Sequence, residues 1–153
     1  MRRARPSSSF ARPPRTNDCA RTVAFRLTAR YLVTGGAGFI GSHVVERLVQ
    51  EGHTVRVLDA LSSGRLENLA AVESRIEFLQ GDIRDRDVVQ HALETADYVI
   101  HEAAWRSVPK SMADPSGYTA VNVLGTVNLL EAAVKAKAIV VDDGGLMLTM
   151  LRG

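Results

Sequence analysis

Short apolar runs alternate along this chain with segments whose apolar residues recur at helical spacing. Tyr31-Leu32-Val33-Thr34 is an unbroken run that stops at a glycine cluster, the pattern of a strand buried on both faces. From Phe39 to Glu51, Ile40, Val44, Val45, Leu48 and Val49 predict an amphipathic helix, with Gly52 as its stop. Thr54–Leu58 predicts a second strand ending at Asp59, followed by the loop Ser62-Ser63-Gly64 and a short helix over Arg65–Val72. Arg75–Leu79 reads as a third strand stopped by Gly81, Asp85–Glu94 as a helix with acids in its first turn, and Tyr98–Ile100 as a fourth strand. His101–Pro115 reads as a long loop broken by Pro109 and Pro115, Tyr118–Lys135 as a long amphipathic helix, and Ala138–Val141 fits a fifth strand. Strands alternating with helices predict an α/β fold, a doubly wound parallel sheet with right-handed crossovers and helices on both faces. Its expected strand order is 3-2-1-4-5, which makes strand 4 interior when the sheet is complete.

Charge changes the picture at one end only. Residues 1–30 hold eight Arg and one acid, Asp18, for +7, whereas residues 31–153 hold 11 basic against 16 acidic residues, for −5. The pI near 9.0 therefore belongs to the leading segment. The body is mildly acidic and lacks a basic stripe with interleaved aromatics, which argues against a nucleic-acid partner. Residues 1–30, rich in Arg, Ser and Pro, are expected to be disordered because they carry too little apolar surface to offset chain entropy. Their composition matches an organelle transit peptide; the plainer reading is an upstream extension with the domain starting near Tyr31, and a nucleic-acid-binding arm is a third.

The 153 residues are 46% hydrophobic and 24% charged, a globular composition, with no apolar run of 18 residues and so no expected membrane partner. A single cysteine, Cys19, excludes an internal disulfide and a Cys-based zinc cluster and fits a reducing compartment, so the expected location is cytoplasmic. His43, His53, His91 and His101 are scattered without ligand spacing, so no metal is expected. His101, at a strand end, reads as a packed or cofactor-adjacent residue rather than a general base.

The main chemical signal is Thr34-Gly35-Gly36-Ala37-Gly38-Phe39-Ile40-Gly41, in which Gly35, Gly38 and Gly41 give G-x-x-G-x-x-G. The triad follows a predicted strand, opens a predicted helix, and the next strand ends in an acid 18 residues after Gly41. These are the contextual conditions for a dinucleotide fingerprint on a Rossmann-type sheet. Gly35 permits the tight turn, Gly38 lets the backbone approach a pyrophosphate, and Gly41 allows close helix–sheet packing. The amides of Phe39 and Ile40 lie at the helix N-terminus, where free N–H groups and the dipole favour an anion. Asp59 would accept hydrogen bonds from both adenine-ribose hydroxyls and repel a 2′-phosphate, so NAD is expected over NADP, with Arg65 softening that exclusion. The alternative is that the glycines serve only a tight turn.

The sequence resembles the extended short-chain dehydrogenase/reductases, in particular the NAD-dependent nucleotide-sugar epimerase/dehydratase family. The resemblance is carried by Thr34–His43, Gly81-Asp82-Ile83-Arg84-Asp85, His101-Glu102-Ala103-Ala104, and Asp114-Pro115 through Asn122-Val123-Leu124-Gly125-Thr126. Within the family, Ser107-Val108-Pro109-Lys110-Ser111 resembles the UDP-glucose and UDP-N-acetylhexosamine 4-epimerases, UDP-N-acetylglucosamine 4-epimerase among them. The resemblance implies NAD as cofactor and roles at matched positions. Asp82 and Ile83 would hold the adenine, the carboxylate taking the exocyclic amine and Ile83 covering a ring face, although Asp82 could be only a turn residue. Ser63 is grouped with the cofactor residues. Ala103 and Ala104 would be small so that the strand end lies against the cofactor, or are ordinary loop residues. Arg106 would reach the cofactor ribose or phosphate, or is a solvated cation. Asn122 would face the nicotinamide side, or is a polar helix residue. Ser107 and Ser111 would approach the substrate sugar or its pyrophosphate, or serve turns.

The resemblance breaks where chemistry is expected. The family uses a Tyr-x-x-x-Lys pair, one helix turn apart, and a Ser/Thr on the strand after the long helix. Four residues after Tyr31, Tyr98 and Tyr118 stand Gly35, Glu102 and Asn122, so the pair is absent and no catalytic residue is assigned. Beyond Lys135 the chain diverges from the expected serine-rich strand end, and residues 142–153 read as the tail of a truncated or frameshifted frame. The expectation is thus an incomplete NAD-binding domain over residues 31–141, truncated after about five strands, from an enzyme acting on a UDP-sugar. It should bind NAD without turnover and self-associate through surfaces left uncovered. The alternatives are a non-catalytic NAD-sensing or scaffolding module and a non-functional fragment.

Overall fold

In a computed structural model that describes residues 28–142, five parallel strands form one sheet in the order β3-β2-β1-β4-β5. They are β1 (Arg30–Thr34), β2 (Thr54–Asp59), β3 (Ile76–Gln80), β4 (Tyr98–His101) and β5 (Ile139–Asp142). The helices are α1 (Phe39–Gln50), α2 (Arg86–Leu93), α3 (Val108–Ala113), α4 (Pro115–Thr119) and α5 (Thr126–Ala136). The expected order holds, and β5 pairs with β4 through Val99↔Val140 and Ile100↔Val141, so β4 is interior. The Tyr98–Ile100 edge of β4 is therefore covered by β5. The expectations for residues 1–27 and 143–153 lie outside the described residues.

Side-chain alternation splits the core in two. Leu32, Leu58 and Val99 face α2 and α5, packing on Val89, Leu93, Leu129 and Ala133. Val33, Val55 and Val57 face the opposite side and pack on Val45 and Val49 of α1 and on Leu69. Because both faces are covered, the central strands β1 and β4 carry unbroken apolar runs at Tyr31–Val33 and Tyr98–Ile100.

Local chemistry sets most boundaries. Gly52, at φ +85°, follows α1 while the N–H of Gly52 reaches Val49 O and that of His53 reaches Leu48 O, a Schellman stop. Asp85 caps α2 by accepting the N–H groups of Asp87 and Val88 at 3.0 and 3.3 Å.

Three expectations shift. The region Arg65–Val72 holds a single 3-10 turn, Leu66–Leu69, in which only Leu69 is buried. The loop before Pro115 contains the short helix α3, entered through Pro109, whose missing N–H costs nothing in a first turn. The long helix begins at Pro115, ahead of the expected Tyr118, because Asp114 caps it by accepting the Gly117 N–H at 2.9 Å. It continues through a π-helical turn, Ala120–Gly125, into α5.

Candidate functional site

All five strands run parallel, so their C-terminal ends share one edge of the sheet, and the glycine loop lies there between β1 and α1. Gly35 sits at φ +68°, and a Cβ on it would stand 2.7 Å from the backbone at Glu102 and Ala103. The turn can therefore lie directly against the chain leaving β4. Gly41 likewise has no room for a Cβ against the Gly35 and Gly36 backbone. At Gly38 a Cβ would meet only Gly35 O, at 3.0 Å, and otherwise open space. Gly38 precedes α1 with no side-chain cap, which leaves first-turn N–H groups without intrahelical acceptors where Ile40 and Gly41 line a groove.

That groove has a volume of about 260 Å³. Gly35, Gly38, Ile40 and Gly41 form one wall, with Asp59 at the end of β2 and Ser63 in the loop after it. Asp82, Ile83 and Arg84 lie beyond β3, and Ala103, Ala104, Trp105 and Arg106 beyond β4. Most of the site residues expected from sequence are thus brought together. Phe39 is an exception for its side chain, which is 77% exposed on the outer face of α1 against His43. Asn122 lines a smaller adjoining cavity with Arg106, His101 and Thr126. Ser107 and Ser111 line neither cavity: the Ser107 N–H donates to the Tyr118 hydroxyl at 3.1 Å, and Ser111 Oγ donates to Val108 O at 2.8 Å.

Asp59 is 7% exposed and does more than face the groove. Its Oδ2 accepts the Ala37 N–H at 2.9 Å and its Oδ1 the Leu61 N–H at 2.8 Å. Leu61 itself sits in the left-handed region at φ +54°. The Ala37 carbonyl in turn accepts the Arg65 N–H at 3.0 Å and Asn68 Nδ2 at 2.8 Å. The glycine loop is held at both sides of one residue, and each carboxylate oxygen keeps further lone-pair capacity for a ligand hydroxyl.

At the far end, Asp82 is a turn residue and a charged wall at once. Its Oδ1 accepts the Arg84 N–H at 2.9 Å, and both oxygens pair with the Arg84 guanidinium at 2.6 to 3.0 Å. Those Arg84 side-chain hydrogen bonds hold the Asp82 carboxyl below its ordinary value, against partial burial that opposes them. Ile83 lines the groove while packing into the core, where a Cβ on Gly125 would stand 2.7 Å from it.

The loop after β4 is fixed from the helical rod. Asn122 Oδ1 accepts the Trp105 N–H at 2.8 Å and Asn122 Nδ2 donates to Trp105 O at 2.9 Å. Both ends of the Asn122 amide are therefore engaged with backbone, which makes it a residue that positions the groove wall. The Trp105 ring meets Tyr118 edge-on at 5.3 Å and carries the Arg84 guanidinium 5.8 Å from its centroid. Thr126 Oγ1 donates to the Asn122 carbonyl in the π-helical turn, at 2.9 Å, and lies 3.0 Å from His101 Nε2. With the Thr126 proton used, Nε2 is the donor in that contact, and Nδ1 shares a hydrogen bond with the Thr34 hydroxyl, 2.7 Å away. His101 is a packed residue linking β1, β4 and α5, as its strand-end position suggested.

Sequence reasoning missed Asn68, Arg84, Trp105 and Tyr118 as residues that shape the site. Asn68 carries no local signal, since its partner Ala37 is 31 residues away. Trp105, the one tryptophan of the chain, on a segment read as loop, is the signal that was there to use. Among the described residues no group of His, Cys, Asp and Glu could hold a metal, and no helix is long and apolar enough to cross a membrane.

Residues 31–141 match the NAD dependent epimerase/dehydratase family. The chain is 48% identical over 122 residues to the UDP-glucose 4-epimerase of Mycolicibacterium smegmatis, covering 76% of this chain and 39% of that protein. It is 45% identical over 106 residues to the dTDP-glucose 4,6-dehydratase of Mycobacterium tuberculosis, covering 67% of this chain and 32% of that one. Among solved structures it superposes on the Thermus thermophilus UDP-glucose 4-epimerase in complex with NAD with a TM-score of 0.67 at 45% identity, over 72% of this chain and 35% of that one. The chain thus spans between about a third and two fifths of the length of these relatives. The glycine turn, the acid ending β2, the strand order and these likenesses together show that the chain belongs to the NAD dependent epimerase/dehydratase family.

Proposed function

We propose that residues 31–141 are the dinucleotide-binding part of a nucleotide-sugar epimerase or dehydratase, and that this chain binds NAD without turning over a sugar. The observation that carries the reading is Asp59, whose buried carboxylate secures the glycine loop while lining the groove at the end of β2. The donor set fits a dinucleotide. Amides at the start of α1 suit a pyrophosphate, Asp59 suits a ribose diol, and the Gly81–Arg84 segment lies one strand further out, within reach of the base. In this reading Ser63, Ala103, Ala104 and Arg106 border the cofactor, Ile83 covers part of the base, and Asn122 acts by holding Trp105. Ser107 and Ser111 are proposed for the substrate side, beyond the groove.

NAD, when bound, supplies a hydride acceptor for a sugar hydroxyl carbon. Oxidation at C4 of a UDP-sugar is the parent reaction, in line with relatives named UDP-glucose 4-epimerase. Turnover by this chain is not expected, because no tyrosine in it has a lysine four residues on to lower the phenol pKa. Self-association is supported by Val123, Leu124, Val127 and Val134, exposed along the helical rod. The single cysteine supports a cytoplasmic setting.

The test is calorimetric titration of the full chain with NAD and with ADP-ribose. Saturable binding of both at similar affinity supports the reading, since the described contacts serve the ADP half. Absence of binding to either overturns it.

A further inference from the structure

The base end of the groove is built unlike a lone carboxylate. A carboxylate offers about four acceptor sites. Asp82 takes four contacts from one residue: Oδ1 accepts the Arg84 backbone N–H at 2.9 Å and Nε–H at 3.0 Å, and Oδ2 accepts the same Nε–H at 3.0 Å and Nη2–H at 2.6 Å. Arg84 cannot simply drift away. Its guanidinium lies over Trp105, the Asn122 amide fixes that residue at both backbone atoms, and the Arg84 carbonyl accepts Asn128 Nδ2 at 3.1 Å. Of the five N–H donors on an arginine side chain, two go to Asp82, which leaves three on a residue that, with Asp82, lines the groove. This end therefore presents guanidinium donors beside a carboxylate whose acceptor sites Arg84 already occupies.

We propose that Arg84 is a specificity-determining residue for the nucleobase: paired with Asp82 it occupies the carboxylate and offers donors beside it, so that the groove takes a 6-oxo purine nearly as well as a 6-amino purine. An unpaired Asp82 would accept from an adenine amine and repel the O6 carbonyl of hypoxanthine. The guanidinium beside it supplies the donor that such a carbonyl needs, while competing with the amine for Asp82. The inference rests on the groove being a dinucleotide site.

The experiment is calorimetric titration of the full chain with NAD and with nicotinamide hypoxanthine dinucleotide, in the wild type, Arg84→Met and Asp82→Asn. Methionine keeps a flexible stem over Trp105 and removes the donors. The wild type is expected to prefer the adenine form by less than about threefold, and Arg84→Met to widen the preference beyond about tenfold, the range of one base-edge hydrogen-bond pair. Asp82→Asn should move the ratio the other way, toward hypoxanthine. Opposite shifts cannot come from a loosened loop, which would weaken both dinucleotides alike. A wild-type preference above tenfold, or equal weakening of both ligands in both variants, overturns the role of Arg84 while leaving the dinucleotide site intact. Failure of the wild type to bind either dinucleotide overturns the site itself, and this inference with it.

Discussion

The carboxylate of Asp59, at the end of β2, accepts the backbone N–H of Ala37 at 2.9 Å in the middle of the glycine loop. One side chain therefore shapes the loop and lines the groove. Asp59→Asn keeps the volume but turns an amide NH2 toward one of two backbone donors. It should destabilise the fold by about 1 to 3 kcal/mol, the cost of leaving a buried donor unsatisfied. NAD affinity should fall at least about tenfold, and the gap between NAD and NADP should narrow as the negative charge is lost. Thermal melts beside NAD and NADP titrations check all three; an unchanged NAD affinity would remove Asp59 from the site.

Gly35 combines a left-handed φ of +68° with backbone atoms of Glu102 and Ala103 that a Cβ would reach at 2.7 Å. Backbone cannot rotate aside as a flexible side chain can. Gly35→Ala should therefore destabilise by more than about 1 kcal/mol, the strain of a left-handed alanine alone. Chemical denaturation measures it, and a stable variant would mean that the β4 exit is free to move.

Asn122 should report on the groove wall through the chain's one tryptophan. Asn122→Ala removes two hydrogen bonds to Trp105 backbone, at 2.8 and 2.9 Å. The expected loss is about 1 to 3 kcal/mol, at roughly 1 kcal/mol per bond. Trp105 emission should shift to longer wavelength as the ring gains water. Fluorescence spectra with urea titration would show both, and an unshifted spectrum would place the hold on Trp105 in Tyr118 instead.

Acid should act on the Asp82–Arg84 pair in a defined direction. Arg84 holds the folded-state Asp82 carboxyl below its ordinary value of 3.8. A depressed carboxyl stabilises the fold above the unfolded value and loses that contribution as pH falls through the folded one. The gain is present at neutral pH and disappears below about pH 4; with both side chains partly exposed it stays below about 1 kcal/mol. Carboxyl titration by NMR should show the Asp82 midpoint rising in Arg84→Met, and an unmoved midpoint would contradict the pairing.

The exposed valines of the helical rod carry the expectation of self-association. Val127→Asp places a charge on that face without touching the groove. Sedimentation velocity should show concentration-dependent association in the wild type and a shift toward monomer in the variant. A wild type that stays monomeric at high concentration would overturn the expectation.

The legible parts of this protein are those whose physics is local. A run such as Tyr31–Thr34 is apolar because a parallel strand is buried on both faces, and the G-x-x-G-x-x-G spacing follows from one turn leading into one helix. Asp59 was readable because it ends the very next strand. The helix α3 and the early start at Pro115 were less so, since prolines that break a helix interior also open its first turn; at Pro115 the Asp114 cap decides between the two.

By itself the sequence determined the strand and helix alternation, the anion-ready glycine turn, the acid at the end of β2 and the family likeness. Only the tertiary structure decided that Asp59 and Asn68 grip Ala37 from 22 and 31 residues away, that Asn122 spends its amide on Trp105, and that Arg84 fills most of Asp82. Periodicity and spacing report how a segment meets its immediate neighbours. Hydrogen bonds between loops at one sheet edge depend on where the strands bring those loops, and strand order sets that placement, with no trace in any single segment.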